Sequence, residues 1–226
     1  MSFLLDTHVH TAESSHCARL PAAGVVEHYI SLGYDGIVVT DHMKSEDWRL
    51  SMLPWHKKAE RWLRGYRAAC KAADGRLTVL LGMEIRPDDS HNDYLLFGVD
   101  EGFVYGTPNL HRVKNLKELR KIADRHGLLV VQAHPFRKGM TISDWTLLDG
   151  VEVLNGGAYH DSNNDVALQW AHKHSLLQTA GSDYHGYKSP KKTPAVHYGL
   201  RLREPVAESK RLAELLRAGE YELAAL

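Results

Sequence analysis

Short apolar runs alternate along the chain with stretches of helical periodicity. Residues 3–5 (FLL) open the pattern, and the next periodic stretch predicts a helix over 22–32, ending near Gly33. Residues 36–40 (GIVVT) form a β-branched run of the kind buried in a parallel sheet. Residues 55–73 read as one helix closed by Asp74-Gly75; 77–81 and 94–98 read as strands, and 116–126 as a helix ended by Gly127. Strands over 128–133, 151–154, 177–180 and near 196–202 follow, with helices over 164–174 and 206–217. This alternation predicts an α/β domain with a largely parallel sheet, and about seven core strands suit a barrel better than a small open sheet. No repeat, low-complexity segment or linker interrupts the pattern, so residues 1–226 read as a single domain.

Composition changes the picture in three ways. Hydrophobic residues make up 43% and charged residues 25%, which excludes a disordered chain. Lys+Arg and Asp+Glu both number 28, so no net field draws in long nucleic acid or an anionic membrane. No run approaches the roughly 18 apolar residues of a membrane helix, and no basic segment with a cleavage site marks a signal peptide. Cys17 and Cys70 do not make a disulfide framework, so a reducing cytoplasm is the expectation. The third change is the histidine content, 15 residues against 4 Phe and 5 Trp. Histidine is the commonest metal ligand and acid–base side chain near neutral pH.

The ligand-type residues fall at the ends of the predicted strands. Asp6, His8 and His10 follow the first run, Asp41 and His42 follow GIVVT, Glu84 follows LTVLLGM, His134 follows LLVVQA, and Asp183 and His185 follow LLQTAGS. In a parallel α/β barrel those ends share one face, where active sites are built. Alternate side chains of an extended segment point the same way. His8 and His10 therefore present two imidazoles together, and Asp183 and His185 a carboxylate and an imidazole. Imidazole and carboxylate suit zinc, iron or manganese, and a carboxylate such as Glu84 can bridge two ions. Asp6 has the parity of His8 and is expected either to orient a ligand imidazole or to cap the strand end. Asp41, of opposite parity to His42, is expected to make a structural hydrogen bond.

Together the segments Asp6-Thr-His8-Val-His10-Thr, Val39-Thr-Asp-His42, Gly82-Met-Glu84-Ile, Ala133-His134-Pro135 and Gly181-Ser-Asp183-Tyr-His185 resemble the PHP (polymerase and histidinol phosphatase) superfamily, essentially end to end. The resemblance implies a distorted (β/α)7 barrel with its metal site at the C-terminal strand ends, two or three divalent ions (zinc, manganese or iron), and hydrolysis of phosphate esters. It implies that His8 and His10 share a first ion with Glu84 and Asp183, and that Glu84 bridges to a second held by His134. His42 and His185 hold a third, with a loop ligand six residues past His10. That position is His16, with Glu13 as fallback. The family's further His at the second ion has no direct counterpart before Tyr94-Leu-Leu-Phe-Gly98, so His91, His111, Asn92, Asp93 or water are the alternatives.

A phosphomonoester carries two negative charges near neutral pH, and such ions offset them and lower the pKa of a bound water. Asp183 and His185 are the catalytic candidates for protonating the leaving oxygen. Arg137, Arg19 and Arg86, with Lys44 and Lys138 behind them, are candidates for binding the phosphate, because a guanidinium offers a fork to two of its oxygens. His160, after Asn155-Gly-Gly157, is a further substrate candidate. Trp55, Trp62 and Tyr66 have the spacing of a packed helix face, and Asp88-Asp89 and Lys191-Lys192 read as solvated. The expected partner is a small phosphorylated substrate, with a nuclease-like phosphodiesterase on short nucleotides or bisphosphates, a non-catalytic metal-binding module or an amidohydrolase as alternatives. No lysine at the strand ends supports the last of these.

Overall fold

In a computed structural model the chain is described at residues 2–48, 51–157, 160–186 and 196–226. The expected solvated pair Lys191-Lys192 lies outside these. Two sheets carry the fold. The first holds β1 (Phe3–Val9), β2 (Gly36–Val39), β4 (Thr78–Leu81), β10 (Tyr198–Leu202) and β11 (Tyr221–Ala225) in the order β11-β10-β1-β2-β4. The second holds β3 (His42–Met43), β5 (Met83–Ile85), β6 (Tyr94–Phe97), β7 (Leu129–Gln132), β8 (Gly150–Asn155) and β9 (Leu177–Gly181) in the order β3-β5-β6-β7-β8-β9. On one side the chain runs almost without a break from β2 into β3 and from β4 into β5, so the sheets share continuous backbone. On the other side an isolated parallel bridge between Val9 and Tyr184 joins them. No ladder among the described residues closes the two sheets into one barrel.

The sheet is more mixed than the apolar pattern predicts. β5–β6, β6–β7, β1–β10 and β10–β11 are antiparallel. Only eight residues separate β5 from β6, too few for the dozen or more that a parallel crossover needs. The remaining pairs, including β1–β2, β2–β4, β7–β8 and β8–β9, are parallel.

Seven helices cover the outside of the described chain: α1 (Ala22–Ser31), α2 (Trp55–Trp62), α3 (Arg64–Ala73), α4 (Glu101–Gly106), α5 (Leu116–His126), α6 (Asn164–His174) and α7 (Ser209–Ala218). α5 starts on Asn115, whose side chain accepts from Glu118 N at 2.9 Å, and stops at Gly127 with φ 66°. The long helix expected over 55–73 is broken at Leu63. The Ser14 hydroxyl inserts there, donating to Trp62 O at 2.6 Å and accepting from Gly65 N at 3.0 Å.

Three apolar clusters fill the molecule. One packs α1 and α3 on the first sheet, around Leu4, Val9, Val25, Tyr29 and Ile37. A second packs the helices of the other side on the second sheet; Trp62 belongs to it and Trp55 and Tyr66 pack against it as the helical spacing predicts, and Trp48 joins them. The third lies between the sheets. Leu5, Val38 and Leu80 meet Leu95, Val131 and Ala180 there, and Leu212, Leu215 and Leu216 of α7 close one end. The opposite end of this interior is polar.

Candidate metal centre

β1 is buried along its whole length, yet it carries His8, and His10 follows directly after its last residue. A register irregularity between Asp6 and Val9 explains how they are aimed. Leu4 and, past the irregularity, Val9 both face the α1 layer. Asp6 faces that layer as well, accepting from Tyr29 Oη at 2.8 Å, His8 N at 3.0 Å, Ser182 N at 3.0 Å and the Ser182 hydroxyl. His8 and His10 turn into the polar end of the interior. Asp6 therefore does not orient an imidazole: it ties β1 to the segment after β9.

Seven side chains expected at one mouth do converge. His8 Nε2 lies 3.4 Å from Glu84 Oε1 and 3.5 Å from Asp183 Oδ1; His10 Nε2 lies 3.3 Å from Glu84 Oε2 and 3.4 Å from Asp183 Oδ1. His134 Nε2 is 3.2 Å from Glu84 Oε1, His42 Nδ1 2.7 Å from Glu84 Oε2, and His185 Nδ1 3.3 Å from Asp183 Oδ1. Two sets of ligand atoms, from His8, His10 and Glu84 and from His10, His42 and His185, each lie within 4.8 Å of one another. His134 and Asp183 hold left-handed backbone conformations, φ 31° and 49°.

His134 Nε2 and Glu84 Oε1 are in hydrogen-bond geometry, but the other facing atoms do not bond one another. His8 Nε2 and His10 Nε2 are fully buried and have no hydrogen-bond partner, and neither has Glu84 Oε2 despite its 2.7 Å approach to His42, which lacks hydrogen-bond geometry. Buried polar atoms without partners are costly. A divalent cation shared by two imidazoles and a carboxylate satisfies all three, and the donor set suits zinc, iron or manganese. The residues present therefore fit a metal centre.

The outer contacts hold the ligands in place. Glu152, in the middle of β8, accepts from or pairs with His8 Nδ1 at 2.9 Å and accepts from His134 N at 3.0 Å and Asn155 Nδ2 at 2.8 Å. It orients His8, the task the sequence suggested for Asp6. Its signal was a carboxylate inside the apolar run Val151-Glu-Val-Leu154. Asp41 makes the expected structural bonds, accepting from Thr11 N at 2.8 Å, Thr11 Oγ1 at 2.6 Å and Ser15 Oγ at 2.7 Å. Ser15 Oγ in turn lies 3.2 Å from His10 Nδ1 and accepts from His42 N at 3.0 Å.

Charge is balanced inside the cluster. Burial pushes Glu84 up, but the imidazoles of His42 and His8 outweigh it and hold the carboxyl well below its usual range. Burial likewise opposes the ionisation of Asp183, which His8 and the Arg137 guanidinium hold well below its usual range. His8 is held well above its ordinary value: burial pushes it down, but the carboxylates of Glu152, Asp183 and Glu84 outweigh this. His10 is driven well below its ordinary value by burial, with His185 and His42 adding to it.

A cavity of ≈ 520 Å³ opens over the cluster. Arg137, Arg86, Lys44, His160, Gly156, Gly157, Tyr184 and His197 line it with the ligands. Arg137 donates to Asp183 Oδ2 at 2.6 Å and Asn155 Oδ1 at 2.7 Å, while its Nε is buried without a partner. Arg86 makes a two-bond pair with Asp93, at 2.8 and 2.7 Å. Asp93 is buried on the cavity wall and groups with His42 and Glu84.

Several expected residues stand elsewhere. His16 is 66% exposed and lies 3.3 Å from Asp47, because the loop turns at Ser15 and brings the next residue, Cys17, to the cavity. The Cys17 thiol hydrogen-bonds both His185 and His42; burial pushes it up, and these bonds outweigh that to bring it down to about 6. The fallback Glu13 accepts from Ala22 N at 3.0 Å at the start of α1. His91 is exposed, and Asn92 beside it is tied to Thr141 and Ser143. His111 stacks on Trp55, with ring centres 5.7 Å apart, away from the cluster. Arg19 is exposed and is not among the residues lining the cavity, although its N–H donates to His185 O at 2.7 Å. Lys138 is exposed.

No protein-family model matches the chain, and no curated protein matches it. Solved structures do share its fold. A two-domain protein of Bacteroides vulgatus, containing a predicted PHP-like metal-dependent phosphoesterase, superposes with a TM-score of 0.69 at 18% identity over 99% of this chain and 65% of its own. The lesion-specific endonuclease of Pyrococcus furiosus gives 0.62 at 14% identity, over 99% of this chain and 58% of its own. An amidohydrolase of Chromobacterium violaceum with bound sulfate gives 0.55 at 16%, over 96% and 97%. The chain thus spans under two thirds of the length of the first two. The fold is the one found in PHP-like metal-dependent phosphoesterases. Among the described residues no helix is long and apolar enough to cross a membrane.

Proposed function

We propose that the protein is a metal-dependent phosphoesterase that hydrolyses a small phosphate ester. The observation carrying this reading is the set of buried, partnerless imidazole and carboxylate atoms under a cavity edged with guanidinium groups. His8, His10, Glu84 and Asp183 would hold one ion. Glu84 and His134, with Asp93 beside them, would hold a second, and His42 and His185 a third. Bound there, zinc, manganese or iron would lower the pKa of water and offset the charge of the ester.

The chain's own groups do the rest. Arg137 lines the cavity with its Nη2 held by Asp183 and Asn155, and its guanidinium charge would draw a phosphate oxygen there. Lys44 and Arg86 line the same space and add positive charge at its rim, and His160 lines it too, its pKa pushed down by burial and by Arg137. Asp183 is held ionised, which suits cation binding and removes it as a proton donor near neutral pH. Of the two catalytic candidates this leaves His185, pushed up in pKa despite burial by Cys17 and Asp183. A His185 engaged as a ligand leaves the leaving oxygen to solvent at the rim. A second reading, a phosphodiesterase on short nucleotides, is supported by the fold shared with a lesion-specific endonuclease.

The test loads apoprotein with Mn²⁺, Zn²⁺ or Fe²⁺ and assays p-nitrophenyl phosphate, bis-p-nitrophenyl phosphate and a nucleotide panel. Turnover of the monoester is expected. Turnover of diesters alone selects the second reading, and tight metal binding with no turnover selects a non-catalytic metal-binding module. His8→Ala and Asp183→Ala abolish activity and lower metal content. Arg137→Ala lowers kcat/KM roughly 10- to 100-fold, the loss of a charge-assisted bond, mainly through KM.

A further inference from the structure

The first loop brings a sulfur to the centre where the family resemblance implies an imidazole. Cys17 lines the cavity and bonds His42 and His185. Both partners also grip the loop by backbone: Ser15 Oγ accepts from His42 N at 3.0 Å, and Arg19 N donates to His185 O at 2.7 Å. Cys17 lies midway between these anchors, two residues from each. Ser15 Oγ is fixed in turn by Asp41 at 2.7 Å, and Ala18 N bonds Ser15 O at 3.0 Å. The sulfur is thereby placed by four contacts outside its own side chain.

A second observation points to a ligand at this spot. His10, His42 and His185 each present a ligand atom within 4.8 Å of the others, and His10 Nε2 is fully buried with no hydrogen-bond partner. His16, at the spacing expected of a loop ligand, is directed to solvent. A thiolate beside imidazoles is a donor set of zinc, cobalt and iron; magnesium and manganese prefer oxygen.

We infer that Cys17 is a metal ligand, completing with His42 and His185 a centre that takes a thiophilic divalent ion. The inference rests on the metal-dependent reading above and adds to it the identity of one ligand and the class of ion at one position.

Cobalt(II) titration of the full-length apoprotein tests it. Wild type should develop a sulfur-to-cobalt charge-transfer band in the near ultraviolet, and Cys17→Ser should lose the band and one equivalent of tightly held cobalt. His16→Ala should keep both. Cobalt bound by wild type without the band, or a band kept in Cys17→Ser, overturns the inference and leaves the metal-dependent reading standing. No cobalt bound at all overturns both. Thiol alkylation with and without zinc gives a readout on the unmutated protein. Zinc should shield Cys17 while exposed Cys70 reacts at the same rate in either case. Equal labelling of Cys17 with and without bound zinc overturns the inference.

Discussion

Asp6 shows how one buried carboxylate behaves when donors surround it but no cation does. Burial raises its pKa from 3.8 to about 6, and the bonds from Ser182, His8 and Tyr29 only partly offset that. The raised value means that its stabilising share is full below about pH 4 and is lost as pH rises through about 6. Asp6→Asn does not titrate. Measured by urea unfolding of apoprotein, the variant's deficit relative to wild type should therefore shrink between pH 4.5 and 7.5, by about 2 kcal/mol. A deficit that grows across that window contradicts the assignment. Glu152 acts on the metal side. Glu152→Gln keeps the shape but removes the charge that holds His8 Nδ1, and metal affinity should fall roughly 10- to 100-fold by competition with a chelator. At this scale the pair His8-x-His10 was legible because ligands on extended backbone recur with period two, whereas Asp183 and His185 meet at the cluster although Asp183 turns left-handed, φ 49°. Cys17 was not legible, because a loop has no period and one residue more in the turn exchanges His16 for its neighbour.

The elements are held at close quarters where the ligands sit. A Cβ on Gly181, in β9, would lie 2.9 Å from His8 N and 3.0 Å from Glu152 Oε1 and closer still to His8 Cβ. Gly181→Ala should cost about 1–3 kcal/mol in chemical denaturation and should weaken metal binding, since it pushes on both a ligand and the carboxylate that orients it. Helix positions such as 116–126 and 164–174 were legible from periodicity and end signals. The break at Leu63 was not, because it depends on Ser14, a residue some fifty positions away. The antiparallel β5–β6 pair was legible in principle from the short connection, although the apolar runs alone read as parallel strands. Strand β11 was missed because alternating burial over Tyr221–Ala225 exposes half of a short edge strand.

Across the whole molecule the ligands belong to both sheets. His8 comes from β1 of the first sheet and His10 follows it, and His42, Glu84, His134, Asp183 and His185 come from or follow strands of the second. A bound ion therefore ties the sheets together, and chelation should lower the melting temperature. Restoring ion at a hundred times its dissociation constant should return about 2.7 kcal/mol, while unchanged melting with and without metal would deny the link. The sheets are joined unequally. Where β2 passes into β3 and β4 into β5 the covalent chain is a hinge. Across the interior, the Val9–Tyr184 bridge is a clasp with few backbone bonds, His10 N to Tyr184 O at 3.0 Å and Tyr184 N to His8 O at 3.3 Å. The ligand residues flank that clasp on both strands, so a captured cation would lock the seam where the two sheets meet.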